Sequence, residues 1–299
     1  SNDIKYLIQE AKLLIQKNYN KKKLIHIIIQ KYNINEIDYY DFPSEQILCN
    51  NLILELKFIC FDNLIYENLI NNFKYNHISI KNVYCSSYVK SLNYINFFDN
   101  YKKIVFLDIG LKKSTLCVYD KNRLILIKNI SVGGDHITSD ISKIFKIEKE
   151  KSEEIKKLLN KSNSTFSNDA KENLNDNNII KNLDKKISSD LLNKVIYARI
   201  DEILDLIFEG IDLLELIGNN KNSILIFTGE GSKILNKNSI YLKEDFDYFG
   251  EINFFEESNR QICESGLNFI SAKNNYEVNI VPKKLKKTGF FEKLFHLFN

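Results

Sequence analysis

A chain of 299 residues with only ten glycines has few places where its backbone can turn sharply or be approached closely. Five of the ten (Gly110, Gly133, Gly134, Gly229 and Gly231) stand at the ends of three apolar, β-rich stretches. Glycine is far below its usual ~7% share, so each of these positions asks for a physical reason. A strand that leaves a core into a glycine turn exposes backbone N–H groups that can approach a phosphate. A glycine before a helix presents the positive helix start to an anion. Asp108, at such a strand end, is placed to hold a metal-bound water. Ordinary turns that need glycine for positive φ are the competing explanation for any one of them, and a less economical one for all three together.

The composition closes off several classes. No uninterrupted apolar stretch is long enough for a transmembrane helix, and no apolar signal region follows a basic start. Five cysteines without a C-x-x-C spacing fit buried thiols in a reducing compartment. The absence of methionine, even at the front, predicts a chain that is processed, cut or incomplete there. The formal charge of +3 is misleading, because Lys283, Lys284, Lys286, Lys287 and Lys293 against Glu292 exceed it by themselves and leave the body slightly acidic. A basic folded surface for nucleic acid is therefore not expected. No Ser–His–Asp or Cys–His arrangement and no histidine pair at metal-ligand spacing can be read, so no catalytic residue and no direct metal ligand is predicted. His26 and His77 read as structural residues, and His136 as either a cleft-lining group or a cap of the helix it begins.

Periodicity predicts a helix over Asp3–Lys17, strands over Leu24–Ile34 and Leu52–Phe61, a helix capped by Asp62 through Asn72, a strand over Ile78–Cys85, and a helix over Tyr88–Phe98. Strands over Lys103–Leu107, Ser114–Tyr119 and Arg123–Ile130 follow, the last two joined by the turn Asp120-Lys121-Asn122. Helices over Asp135–Phe145 and Glu148–Leu159 precede a polar insertion at about 160–190. A long helix over Leu191–Ile217, a strand over Ser223–Phe227 and a final core helix over Gln261–Ser271 complete the α/β pattern.

Three motifs carry a family resemblance. Val105–Gly110 with the hairpin after it, Val132-Gly-Gly-Asp-His-Ile-Thr-Ser-Asp140, and Phe227-Thr-Gly-Glu-Gly-Ser-Lys233 resemble, in order and spacing, the actin-like ATPase superfamily, and within it the bacterial cell-division protein FtsA. Ala198-Arg-Ile-Asp-Glu-Ile-Leu204 agrees. The resemblance implies an actin-like (ribonuclease-H-like) α/β fold whose first lobe is incomplete here, the chain beginning after the family's first phosphate loop. It implies a remnant helix at 1–20, an inserted SHS2-type (strand–strand–helix–strand) subdomain at 21–86, a return helix of the first lobe at 87–102, a second lobe at 103–272, a basic linker at 273–288 and a membrane-targeting helix at 289–299.

The same resemblance implies ATP with magnesium in an interlobe cleft. Asp108, Gly110, Lys112 and Ser114 would form the second phosphate loop, Asp108 reaching magnesium through water. Gly133 and Gly134 would lie beside the cleft, Glu153 and Lys156 near ribose and base, and Gly229, Gly231 and Ser232 at the adenosine. Leu111, Lys112 and Lys113 follow Gly110 where the family carries more glycine, and Glu230 replaces another, so weak binding of ATP analogues is expected. The implied role is a filament-forming adaptor that tethers the FtsZ ring, through the FtsZ C-terminal peptide, to the anionic inner membrane. It would sit peripherally on the cytoplasmic face at the division site and meet later division proteins through the inserted subdomain. A pilus-assembly adaptor and a sugar- or acetate-kinase-like phosphotransfer enzyme are the alternatives.

The tail supports the membrane reading independently. At about 100° per residue, Phe290, Phe291, Leu294, Phe295, Leu297 and Phe298 fall within about 160° of arc, and Glu292, Lys293, His296 and Asn299 fall opposite. Such a helix behind a lysine-rich linker has the pattern of an interfacial membrane anchor.

Overall fold

The computed structural model describes residues 2–164, 188–218, 222–235, 244–271 and 277–278. The chain divides into two compact units, Ser1–Cys85 with Asn274–Asn299, and Ser86–Lys273. Most of the basic linker, the whole amphipathic tail and most of the polar insertion lie outside the described residues.

In the first unit, helix α1 (Asn2–Asn18) buries Ile8 against strand β1 (Lys22–Ile34). β1 is flanked by β2 (Ile37–Tyr39) and β3 (Leu52–Asp62), both antiparallel to it. The β1–β2 connection is a two-residue turn with positive φ at Asn35 and Glu36, the geometry that matches strand twist. Asp62 caps helix α2 (Asn63–Tyr75) as the sequence predicts, its carboxylate accepting from the Leu64 and Ile65 amides at 3.0 and 3.3 Å.

The expected strand at Ile78–Cys85 does not form, so the strand–strand–helix–strand order fails at its last member. The β1 edge near Ile27 is met instead by a distant segment, Val278 donating to the Ile27 carbonyl at 3.0 Å. The Cys85 amide donates to the His26 Nε2 atom at 2.8 Å, a side chain rather than a strand partner. Because Nε2 accepts, the proton of a neutral ring sits on Nδ1, which contacts Glu277 Oε1 at 2.5 Å. His26 is thus the structural residue expected.

The second unit is built on a five-stranded sheet of order β6-β5-β4-β7-β8. Its members are β4 (Lys103–Ile109), β5 (Ser114–Asp120), β6 (Arg123–Ile130), β7 (Ser223–Thr228) and β8 (Glu251–Phe254). β4, β5 and β6 form an antiparallel meander, and Lys121 and Asn122 both take positive φ in the predicted tight turn. β7 and β8 run parallel to β4.

Helix α3 (Ser86–Ile95) comes before the sheet in sequence; α4 (Gly134–Phe145), α5 (Lys149–Ser164) and α6 (Ser189–Phe208) lie between β6 and β7. The apolar stripe of α6, from Leu192 to Ile207, joins Val105, Leu107, Leu116, Val118, Leu225 and Phe227 in one core. The predicted single helix Leu191–Ile217 is broken. Gly210 takes φ +72°, and a short helix α7 (Leu213–Ile217) restarts on the Asp212 cap. The apolar stripe carries on across the break and so conceals it from periodicity. The last helix among the described residues, α8 (Asn259–Ser271), is largely exposed rather than core, with Leu267 and Ile270 open to solvent. β8 was too short to read as a strand.

Candidate functional site at the strand ends of the five-stranded sheet

The three glycine turns meet. β4 and β7 pair in parallel as far as Asp108 opposite Thr228, so Gly110 and Gly229 leave the sheet side by side. The start of α4 is hydrogen-bonded to the first turn, Gly134 donating to the Gly110 carbonyl at 2.9 Å and Asp135 to the Leu111 carbonyl at 2.7 Å. A Cβ on Gly133 would lie 2.5 Å from the Gly110 oxygen. One on Gly229, where φ is +87°, would lie 2.4 Å from the Ile109 oxygen. Glycine is needed here so that backbone can pack on backbone. Four of the amides in these turns, those of Gly110, Gly134, Asp135 and Ser232, already donate to carbonyls of the chain.

The hydroxyls expected at the phosphate loop (Ser114) and at the adenosine (Ser232) are also engaged. Ser114 donates to the Val132 carbonyl and Ser232 to the Gly229 carbonyl, each at 2.8 Å, and both side chains are buried. His136 accepts from the Gly133 amide through Nδ1 at 3.2 Å, the helix-start partnership that was one of its two expected roles. Lys112 is exposed beside Gly110. Glu230, also exposed, pairs with Lys233 at 2.9 Å.

Asp108 is buried, and both of its oxygens are taken. Ser87 donates to Oδ2 at 2.6 Å and Lys90 Nζ lies 3.0 Å from Oδ1. Lys90 turns its other side to Glu257 at 2.6 Å, and the Tyr94 hydroxyl donates to Glu257 at 3.2 Å. Burial first, then the charge of Glu257, pushes the Tyr94 phenol far above its ordinary range. Sequence reading missed Ser87, Lys90 and Glu257. The available signal was a lone lysine inside the apolar stretch Tyr88-Val89-Lys90-Ser91-Leu92. No group of three or more His, Cys, Asp or Glu side chains among the described residues is arranged to hold a metal ion. With Ser87 on one Asp108 oxygen and Lys90 on the other, magnesium does not fit on that carboxylate without displacing one of them.

A second polar knot ties α4 to α5. Lys156 is buried and donates to the Gly134 carbonyl at 3.0 Å and to Thr138 Oγ1 at 2.6 Å, while pairing with Glu153 at 2.6 Å. Burial alone would raise the Glu153 carboxyl; hydrogen bonds from Lys156 and Thr138 overcome that and hold it below the usual carboxylate range. Two residues beyond Thr138 on α4, Asp140 accepts from Arg199 Nε on α6 at 2.6 Å.

The family model described as Cell division protein FtsA matches residues 105–259, just over half of the chain and the stretch that contains all three turns. The chain belongs to the FtsA family. Among solved structures, the PilM–PilN type IV pilus biogenesis complex superposes with a TM-score of 0.56 at 10% identity, over 88% of this chain and 69% of that one. MreB5 of Spiroplasma citri bound to AMPPNP gives a TM-score of 0.48 at 18% identity, over 71% of this chain and 65% of that one. The chain thus spans about two thirds of the length of these two solved chains. No curated protein sequence matches it. The fold is α/β and actin-like, as the sequence motifs imply.

Within this FtsA-family chain the predicted site residues fall into two groups. Asp108, Gly110, Ser114, Gly133, Gly134, Gly229, Gly231 and Ser232 come together at the converging turns. Glu153 and Lys156 reach the same place only through the Gly134 carbonyl and Thr138, and face each other. The proposed membrane residues Lys283, Lys284, Lys286, Lys287, Phe290, Phe291, Leu294, Phe295, Leu297 and Phe298 lie outside the described residues. No helix among the described residues is long and apolar enough to cross a membrane.

Proposed function

We propose that this FtsA-family chain is an actin-like adaptor of cell division that assembles with copies of itself and binds ATP where its three glycine turns converge. One observation carries the nucleotide part. The turns close on one another at the carboxyl ends of the parallel strands β4 and β7, the edge of an open α/β sheet where ligands bind. Lys112, exposed at that edge together with Lys113, is a cation that could meet a phosphate there.

The adaptor part rests on the tail. Six large apolar side chains on one helical face, behind four clustered lysines, give a reversible grip on an anionic bilayer, and many tails on one filament give a firm one. In this reading the body holds the FtsZ C-terminal peptide and the first unit meets later division proteins. The protein then sits peripherally on the cytoplasmic face of the inner membrane at the septum. The likeness to the pilus complex favours a second reading, an adaptor of pilus assembly, which leaves the amphipathic tail without a use.

Co-sedimentation with vesicles containing anionic lipid separates the two. The chain is expected to pellet with them, and removal of Phe290–Asn299 is expected to leave it in the supernatant. Lipid binding that survives the deletion refutes the tail as the anchor.

A further inference from the structure

Lys90 is 3% exposed and lies between two carboxylates contributed by segments far apart in sequence. Its ammonium touches Asp108 Oδ1 at the end of β4 and Glu257 Oε2 beyond β8, and lies 6.0 Å from the centroid of the Phe106 ring. The remaining oxygens are served as well, Asp108 Oδ2 by Ser87 and Glu257 Oε1 by Tyr94. Lys90, Asp108 and Ser87 are buried and Glu257 and Tyr94 half-buried, and a charge so placed is held by the cost of leaving its partner unpaired.

We propose that the Lys90 ammonium is a resident cation at the end of β4, standing where a divalent metal would otherwise neutralise Asp108, so that this carboxylate takes up no magnesium. A metal ion on a carboxylate oxygen sits about 2.1 Å from it. With Nζ 3.0 Å from that same oxygen, the two cations would stand within about 5 Å of each other in a largely buried site. The ammonium cannot withdraw, since Glu257 anchors it from the other side. Insofar as this end of the sheet carries ATP, a step that rests on the proposed function, Asp108 does not hold the nucleotide through a metal.

Manganese(II) binding to the full chain, followed by electron paramagnetic resonance without nucleotide, tests the cation itself. The wild-type chain is expected to show no saturable site that Asp108→Asn removes. Lys90→Met leaves two oxygen ligands facing each other without their cation, and is expected to gain a site at least tenfold tighter, lost again in Lys90→Met with Asp108→Asn. A wild-type site that Asp108→Asn abolishes overturns the proposal, and so does a folded Lys90→Met variant with no gain. If Lys90→Met fails to fold, the comparison of wild type with Asp108→Asn decides alone.

Calorimetric titration with ATP, in magnesium and in excess EDTA, tests the consequence. Equal affinities within threefold support it, and a tenfold loss in EDTA overturns it. No binding in either buffer refutes the nucleotide site and leaves the manganese result to judge Lys90.

Discussion

Asp140 on α4 accepts a 2.6 Å hydrogen bond from Arg199 on α6, joining two sequence motifs that lie 59 residues apart. Both side chains are about four-fifths buried, so solvent screening is limited. Arg199→Leu is expected to destabilise the second unit by about 1.5–3 kcal/mol, the range for a hydrogen bond to a charged group. A double-mutant cycle with Asp140→Asn, read from thermal unfolding, should return a coupling of at least ~0.5 kcal/mol. Additive effects would show that the pair contributes no energy of its own.

Two glycines should respond to alanine with opposite signs. Gly133→Ala drives a methyl group against the Gly110 and Leu111 carbonyl oxygens, which the Gly134 and Asp135 amides hold in place. A loss of about 1–3 kcal/mol is expected, as for other overpacked sites. Gly266 lies inside α8 with nothing within 4 Å of the added carbon. Gly266→Ala should stabilise by about 0.5–1 kcal/mol through helix propensity alone. Differential scanning fluorimetry of both variants reads the contrast.

The depressed Glu153 carboxyl gives a pH dependence of definite sign. A group whose folded pKa lies below its unfolded one contributes stability above the unfolded value, and that contribution is lost as pH falls through the folded one. Glu153→Gln is therefore expected to destabilise at neutral pH and to converge with the wild type in acid, below the ordinary glutamate range. Unfolding midpoints collected from neutral to acidic pH check this. A difference that stays constant across the range would assign the effect to packing.

ATP analogues should bind weakly. Four amides of the converging turns are spent on carbonyls, and the Ser114 and Ser232 hydroxyls are spent as well. Calorimetry is expected to give an affinity weaker than micromolar. A sub-micromolar value would mean that groups other than these supply the grip.

Much of this was legible in the chain. The five-glycine signal marked three turns that do converge, and the alternation of β4, β5 and β6 located the meander with its turn at Lys121 and Asn122. Asp62 announced its cap. The errors share one cause. Ile78–Cys85 has the composition of a strand, but the β1 edge is met by Val278 and the Cys85 amide goes to His26. The apolar stripe after Ile207 continues across Gly210, so periodicity alone could not show the break.

Local sterics and periodicity act over a few residues, and they sufficed to determine where strands, helices and glycine turns lie along this chain. The pairing of Lys90 with Glu257 and Asp108 inside the second unit was decided by the tertiary fold. Placing β7 beside β4, and β8 beyond it, brings Glu257 to Lys90 across 167 positions and turns Asp108 from an open carboxylate into a closed ion pair. A buried charge takes its partner from whatever the fold sets within about 3 Å of it, and that distance is a property of topology that no window of sequence contains.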